Sequence, residues 1–221
     1  MNKIKIDIVS DLVCPWCYIG QKRLHDALKQ TDSEVEISWK PFQLHPELQK
    51  EGMEKNAFLS KKFGPKGANL FDQVKSVADS EHLAMNPDII GNIPNTVDVH
   101  RLMWLAKKEG KDLKLALSLF EAYFAEGKDF SKQETLVLVG TACGMDKTRI
   151  ENFLPSDEGK QEVLEEEAAY REAGIRAVPT FIINNQYMIQ GAQSPDVFLN
   201  AFKQIDLKQK GSDFECTGDE C

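Results

Sequence analysis

Alternation of apolar and polar side chains marks two strands near the start of the chain. Residues 3–9 (K-I-K-I-D-I-V) place an isoleucine at every second position up to residue 8, and residues 34–40 (E-V-E-I-S-W-K) repeat the alternation. A period of two is typical of strands with one buried face. Between them, residues 21–29 carry apolar side chains at helical spacing. The order strand, helix, strand predicts a right-handed βαβ unit with parallel strands.

The spacing of apolar residues changes to that of helices from about residue 54 to residue 173. Residues 113–124 are apolar on most sides, which predicts that this helix lies at the centre of a helical bundle. Strand patterns return at 177–183 and 186–190. The two asparagines between them tolerate positive φ, so these strands are expected to form a hairpin.

The element order predicts the fold class. A closing helix begins at Ser194-Pro195, which completes the order β-α-β, helical block, β-β-α. We therefore expect an α/β protein with one four-stranded mixed sheet and an all-helical insertion domain after the second strand.

The domain boundaries follow from this order. We assign residues 1–44 and 174–208 to the sheet domain, residues 45–173 to the insertion, and residues 209–221 to a flexible tail. Because the insertion begins and ends at the sheet, we expect it to fold over the strand ends and to form one wall of a groove there.

Composition excludes several classes of partner. The 27 basic and 35 acidic residues give a net charge of −8 without a basic cluster, which argues against nucleic acid and anionic membranes. No apolar run has the length of a signal peptide or a membrane span, so we expect a cytoplasmic protein. The five cysteines are an odd number. In a reducing compartment such thiols are more often catalytic or metal-binding than structural.

Two cysteines, Cys14 and Cys17, lie where the first strand passes into the first helix. With Pro15 at the first helical position, Cys14 would meet unpaired amides and the positive end of the helix dipole, which favour a thiolate. Cys14 is therefore the candidate nucleophile, and Cys17 is the candidate resolving thiol. The intervening Trp16 is uncharged and adds no cationic stabilisation. This spacing alone also suits half of a zinc site or two buried cysteines, but the strand, helix and proline around it favour redox chemistry.

A second pair, Cys216 and Cys221, lies in the acidic C-terminal segment. Its carboxylate neighbours disfavour thiolates. Three interpretations stay open for this pair: an auxiliary redox pair that exchanges with the first one, metal binding, and an incidental tail. Metal binding includes a zinc site that uses the thiolates of both pairs. The fifth cysteine, Cys143, is expected to be a buried apolar residue.

Taken together, these motifs resemble the thioredoxin-fold proteins of the DsbA type. More specifically, they resemble the cytosolic FrnE branch, which is related to kappa-class glutathione transferases and 2-hydroxychromene-2-carboxylate isomerases. The matching segments are spread along the chain to about residue 208: 11–20 with C-P-W-C, 41–46, 95–102 and 174–181 with G-I-R-A-V-P-T-F.

The resemblance implies a thioredoxin fold and further site residues. It implies that the Val178-Pro179 peptide is cis and lies against the cysteine pair, where the Val178 backbone would bind an extended substrate. Pro15 and Trp16 would complete the rim of the site. His100 and Arg101 match the family pattern and are candidates for the groove.

The chain departs from its transferase and isomerase relatives at one position. Those relatives carry serine where this chain has Cys14, and they bind glutathione. We therefore predict a thiol–disulfide oxidoreductase or isomerase, without a bound cofactor, whose partners are protein or peptide thiols and disulfides. Glutathione is a candidate redox partner, and a monomer and a homodimer both remain open. The alternatives are a glutathione-dependent isomerase or transferase of an aromatic small molecule and a zinc-binding interaction module.

Overall fold

The computed structural model describes residues 3–31, 33–64 and 70–212, and for Leu70 and residues 206–212 it describes the backbone. Its strands are β1 (Ile4–Ser10), β2 (Val35–Pro41), β3 (Met53–Glu54), β4 (Asn92–Ile93), β5 (Thr180–Ile183) and β6 (Tyr187–Gln190). The α-helices are α1 (Pro15–Leu28), α2 (Lys55–Phe63), α3 (Leu70–Ser80), α4 (Val97–Lys108), α5 (Asp112–Phe124), α6 (Gln133–Ala142), α7 (Lys147–Phe153), α8 (Lys160–Glu172) and α9 (Pro195–Ser212), and a short 3-10 helix spans Pro87–Ile89.

The main sheet is the predicted mixed sheet, with the strand order β2-β1-β5-β6. β1 pairs parallel with β2 and antiparallel with β5, and β5 and β6 form the predicted hairpin. At the hairpin turn, Asn184 and Asn185 have φ angles of 51° and 55°, as expected. Because β5 is antiparallel to β1, the C-terminal ends of β1 and β2 and the N-terminal end of β5 lie at the same end of the sheet. The insertion leaves the sheet and returns to it at this end.

The sheet and the helical insertion share one hydrophobic core. Tyr18 of α1 stacks on Phe120 and Phe124 of α5, with ring centroids 5.3 and 5.5 Å apart. Trp39 of β2 also contacts Phe120, at 5.8 Å. One contiguous cluster of buried side chains therefore extends from β1 into the insertion. The domain boundaries at residues 44 and 173 stay predictions. The side chains of the sheet domain and of the insertion pack together in this one core.

The insertion differs from the prediction because it is not all helical. β3 and β4 form a short antiparallel ladder in which Met53 lies opposite Ile93. Two residues are too few to produce a recognisable alternation in the sequence. In addition, Glu54 is the N-cap of α2, where its carboxylate accepts the backbone N–H groups of Asn56 and Ala57.

The C-terminal helix is longer than predicted. α9 continues to Ser212, so residues 209–212 of the predicted tail are helical. Cys216 and Cys221 lie outside the described residues, and the three interpretations of this pair stay predictions. Among the helices of the described ranges, none combines the length and the apolar character needed to span a bilayer.

Candidate active site

Cys14 is the N-cap residue of α1, and Pro15 occupies the first turn of the helix. The Cys14 carbonyl accepts the N–H groups of Cys17 (3.0 Å) and Tyr18 (3.2 Å), which begins the helical ladder as expected. The Cys14 side chain makes no capping hydrogen bond. The place of Cys14 at the positive end of the helix is as predicted, and the stabilisation of its thiolate by the first-turn amides stays a prediction.

The Cys14 sulfur instead faces the segment that precedes β5. The Cys14 thiol donates a long hydrogen bond of 3.9 Å to the Val178 carbonyl oxygen. The Val178-Pro179 peptide is cis, which agrees with the resemblance. The structure thus brings Cys14, Cys17, Val178 and Pro179 together at the end of the sheet where β1 ends and β5 begins.

Gly20 allows this close approach, and the sequence analysis gave it no role. A Cβ atom at Gly20 would lie 2.9 Å from Pro179 Cγ and 3.2 Å from Phe181 Cζ, closer than van der Waals contact permits. Only a glycine lets α1 pack this tightly on the cis-proline segment. Its signal in the sequence is that a glycine inside a helix is unfavourable by about 1 kcal/mol and needs a packing reason.

The second cysteine differs strongly from the first in its electrostatic environment. Cys17 is buried, with 1% of its surface exposed. Burial raises the pKa of the Cys17 thiol well above its usual range, and the hydrogen bond and charge of Cys14 raise it further. The Ser10 hydroxyl and the Asp11 backbone act in the opposite direction. Cys17 is therefore a neutral thiol near neutral pH.

Alkylation of the reduced, folded protein is expected to distinguish the two thiols. At about pH 7.5, iodoacetamide should modify Cys14 faster than Cys17, because the raised pKa of Cys17 keeps that thiol protonated and only a thiolate is nucleophilic. Above about pH 8.5, where cysteines of an unfolded chain ionise, Cys17 should still react more slowly than they do. Peptide mapping by mass spectrometry measures both sites, and the guanidinium-unfolded protein serves as the control. Equal rates at the two sites in the folded protein would contradict the assigned roles.

The exposed side chain of the rim is Trp16, which has 40% of its surface exposed beside the nearly buried Cys14. Two other aromatic residues near the site belong to the interior. Phe42 packs with Val9 and Ile175 in a small second core, and Trp39 is 7% exposed. Trp16 therefore provides an exposed apolar surface next to Cys14.

A buried carboxylate, which the sequence analysis missed, anchors the turn before Cys14. Asp11 is completely buried, and its Oδ2 accepts hydrogen bonds from the Leu44 N–H (2.7 Å) and the Thr96 hydroxyl (3.3 Å). His100 Nε2 lies 3.7 Å from Asp11 Oδ1. Asp11 thus links the cysteine-bearing turn to the start of α4. Its signal in the sequence is a charged residue between a buried strand and the C-x-x-C motif.

His100 and Arg101 occupy different environments. His100 is buried, and its Nε2 atom lies close to Asp11 in the cysteine-bearing turn. Arg101 is 2% exposed, and its guanidinium donates hydrogen bonds to the end of α7 and to the segment that follows it. Its acceptors are the Asp98 carboxylate and the carbonyl oxygens of Phe153, Leu154, Ser156 and Glu158. With its donors engaged there, Arg101 has a structural role, which corrects its assignment to the groove.

Metal binding has no support within residues 3–31, 33–64 and 70–212. No group of three or more His, Cys, Asp or Glu side chains in these ranges has an arrangement that could hold a metal ion. Cys14, Cys17 and Cys143 are free cysteines, and Cys143 is buried as expected. The four-thiolate zinc site would need Cys216 and Cys221, which lie outside these ranges.

Proteins similar to this chain are known both from their sequences and from solved structures. The uncharacterised protein YwbO of Bacillus subtilis (strain 168) is 28% identical over 211 residues, which cover 93% of this chain and 99% of YwbO. A probable DsbA oxidoreductase, SCO1869 from Streptomyces coelicolor, has a crystal structure that superposes with a TM-score of 0.83 at 28% identity, covering 91% of this chain and 89% of that one.

More distant structures show the same fold. A 2-hydroxychromene-2-carboxylate isomerase is 18% identical with a TM-score of 0.68, over 95% of this chain and 98% of that one. The cytosolic disulfide reductase DsbM from Pseudomonas aeruginosa, solved with GSH, is 14% identical with a TM-score of 0.64, over 92% and 99%. The model of the DSBA-like thioredoxin domain matches residues 5–203, and the chain therefore belongs to the DSBA-like thioredoxin family.

Proposed function

We propose that the protein is a thiol–disulfide oxidoreductase of protein or peptide substrates, with Cys14 as the nucleophile and Cys17 as the resolving thiol. The observation that carries this proposal is the asymmetry of the pair. Both cysteines are buried, but Cys14 lies at the helix N-terminus beside the Val178 carbonyl, whereas burial raises the pKa of the Cys17 thiol. We therefore assign the first attack to Cys14 and the second step to Cys17.

The exchange proceeds in two balanced steps. The Cys14 thiolate attacks one sulfur of a substrate disulfide, a mixed disulfide forms, and the other substrate sulfur leaves as a thiolate with the electron pair of the broken bond. Cys17 then loses its proton and attacks the Cys14 sulfur, which forms the Cys14–Cys17 disulfide and releases the second substrate thiolate. The substrate gains two electrons, and the enzyme dithiol loses them. The reverse sequence oxidises a substrate dithiol.

Two features favour an extended polypeptide as the substrate. The Val178 carbonyl lies beside the attacking sulfur, where it can accept an N–H from a bound strand. Trp16 offers an exposed apolar surface next to the pair. Glutathione is the proposed small-molecule redox partner in a cytoplasmic setting, and the distant relative DsbM, titled a cytosolic disulfide reductase, was solved with GSH.

The test is to trap the mixed disulfide. The Cys17→Ser variant is expected to accumulate disulfide-linked protein partners, because its first step proceeds and the resolving thiol is gone. Mass spectrometry of reducible adducts identifies them, and a Cys14→Ser/Cys17→Ser variant is the matched control. Adducts limited to glutathione would exclude protein substrates. The absence of any adduct would contradict the proposal.

A further inference from the structure

The side chain of Ser10 is buried, and its hydroxyl makes no hydrogen bond. Ser10 is the last residue of β1, and 1% of its surface is exposed. Its Oγ atom has no hydrogen-bond partner among the described residues. Buried polar atoms nearly always have a partner, because the loss of water is costly when no hydrogen bond replaces it. In this state the hydroxyl therefore costs stability rather than adding to it.

The sulfur of Cys17 is the group that the Ser10 hydroxyl can serve. Cys17 is also 1% exposed, and the Ser10 hydroxyl and the Asp11 backbone can each hydrogen-bond its thiolate, which favours that form. A neutral thiol is only a weak acceptor, whereas hydrogen bonds to an ionised group are strong. The carboxylate of Asp11 makes its hydrogen bonds to other residues, so the Ser10 hydroxyl is not used there.

We propose that Ser10 is a catalytic residue that stabilises the Cys17 thiolate in the second step of the exchange. When Cys17 gives up its proton, its thiolate accepts the Ser10 hydroxyl and attacks the Cys14 sulfur. The bond between Cys14 and the substrate breaks, and its electron pair leaves with the substrate sulfur, which takes up a proton from solvent in exchange for the one that Cys17 lost. In the reverse direction the same hydroxyl stabilises Cys17 as the leaving thiolate. This inference rests on the proposed function.

The stability of a Ser10 variant distinguishes this role from a structural one. Ser10→Ala removes the hydroxyl and leaves the β-carbon in place. Because the hydroxyl has no partner in the reduced protein, the variant should unfold at the same denaturant concentration as its parent or at a higher one. A clearly lower midpoint would show that the hydroxyl supports the fold, and it would overturn the proposal.

Reaction with excess dithiobis(nitrobenzoate) separates the two steps, because each step releases one coloured thiolate. Attack by Cys14 gives the first release, whose rate rises with the reagent concentration, and resolution by Cys17 gives the second, whose rate does not. Ser10→Ala is expected to slow the second release about tenfold and to leave the first unchanged. In all proteins compared, serine replaces the other three cysteines, so that only this pair reacts: Cys143→Ser, Cys216→Ser and Cys221→Ser.

The matched control is Ser38→Ala in the same background. It removes a hydroxyl of β2 that accepts a hydrogen bond from Lys107, and it should leave both releases unchanged. If Ser10→Ala resolved at the parent rate, or slowed both releases equally, the role of Ser10 would be overturned while the proposed exchange stood. A parent protein that released no coloured thiolate would overturn the exchange itself, and the role of Ser10 with it.

Discussion

Replacement of Cys14 by serine is expected to lower the rate of disulfide exchange by at least about 10³-fold, because a hydroxyl does not ionise near neutral pH and cannot form the mixed disulfide. The remaining thiol cannot substitute for it. Cys17 is 1% exposed, and its pKa is raised by burial, so it has neither the access nor the charge for attack. The measurement is the rate at which the reduced protein cleaves a disulfide-linked, fluorescently labelled peptide.

The control for this experiment is Cys143→Ser. Cys143 is buried, and its thiol donates to the Lys114 carbonyl at 3.9 Å, within the insertion. This variant should retain the exchange rate of the wild type. If Cys14→Ser instead kept a glutathione-dependent activity on an aromatic small molecule, the isomerase or transferase alternative would replace the oxidoreductase proposal.

Arg101→Ala is expected to lower the free energy of unfolding by about 3–5 kcal/mol, a typical effect of removing one partner from a buried charged network. The side chain is 2% exposed, and its loss removes the Arg101 donors from the carbonyl oxygens of Leu154, Ser156 and Glu158, which follow α7. The Arg101 guanidinium also lies 4.8 Å from the centre of the Phe153 ring, a contact that alanine cannot make. Denaturant titration of the wild type and the variant measures the difference.

A neighbouring arginine provides the matched control. Arg149 also contacts the Phe153 ring and pairs with Glu158, but this ion pair is exposed. Arg149→Ala should therefore reduce stability by less than about 1 kcal/mol. The folded fraction of Arg101→Ala should exchange disulfides at the wild-type rate. If Arg101→Ala were as stable as the wild type but exchanged disulfides more slowly, Arg101 would instead have a role at the active-site groove.

The parts of the molecule that follow local rules were predicted correctly from the sequence. Alternation in β1 and β2, the Asn184-Asn185 turn and the helical spacing of the insertion each depend on neighbours along the chain. The N-cap position of Cys14 was also predictable, because proline at the first helical position is a local signal for the start of a helix. The cis Val178-Pro179 peptide came from the family resemblance, because sequence alone does not distinguish cis from trans.

The parts that depend on contacts between distant segments were not predicted. Arg101 follows His100 along α4, and only the fold brings the carbonyl oxygens at the end of α7 and after it to the Arg101 guanidinium. Asp11 acquires its partners from Leu44 and Thr96, far along the chain. Gly20 matters because of the proline ring opposite it. No periodic pattern in the sequence indicates these contacts between residues that are far apart along the chain.

The stacking of Tyr18 on Phe120 and Phe124 of α5 has a consequence for how the molecule unfolds. The helix that presents the cysteines and the bundle inserted into the chain bury the same aromatic surface. Elements that bury one another lose their packing together. Heating should therefore melt both in a single cooperative event, and a bundle excised from the sheet would leave Phe120 and Phe124 facing water.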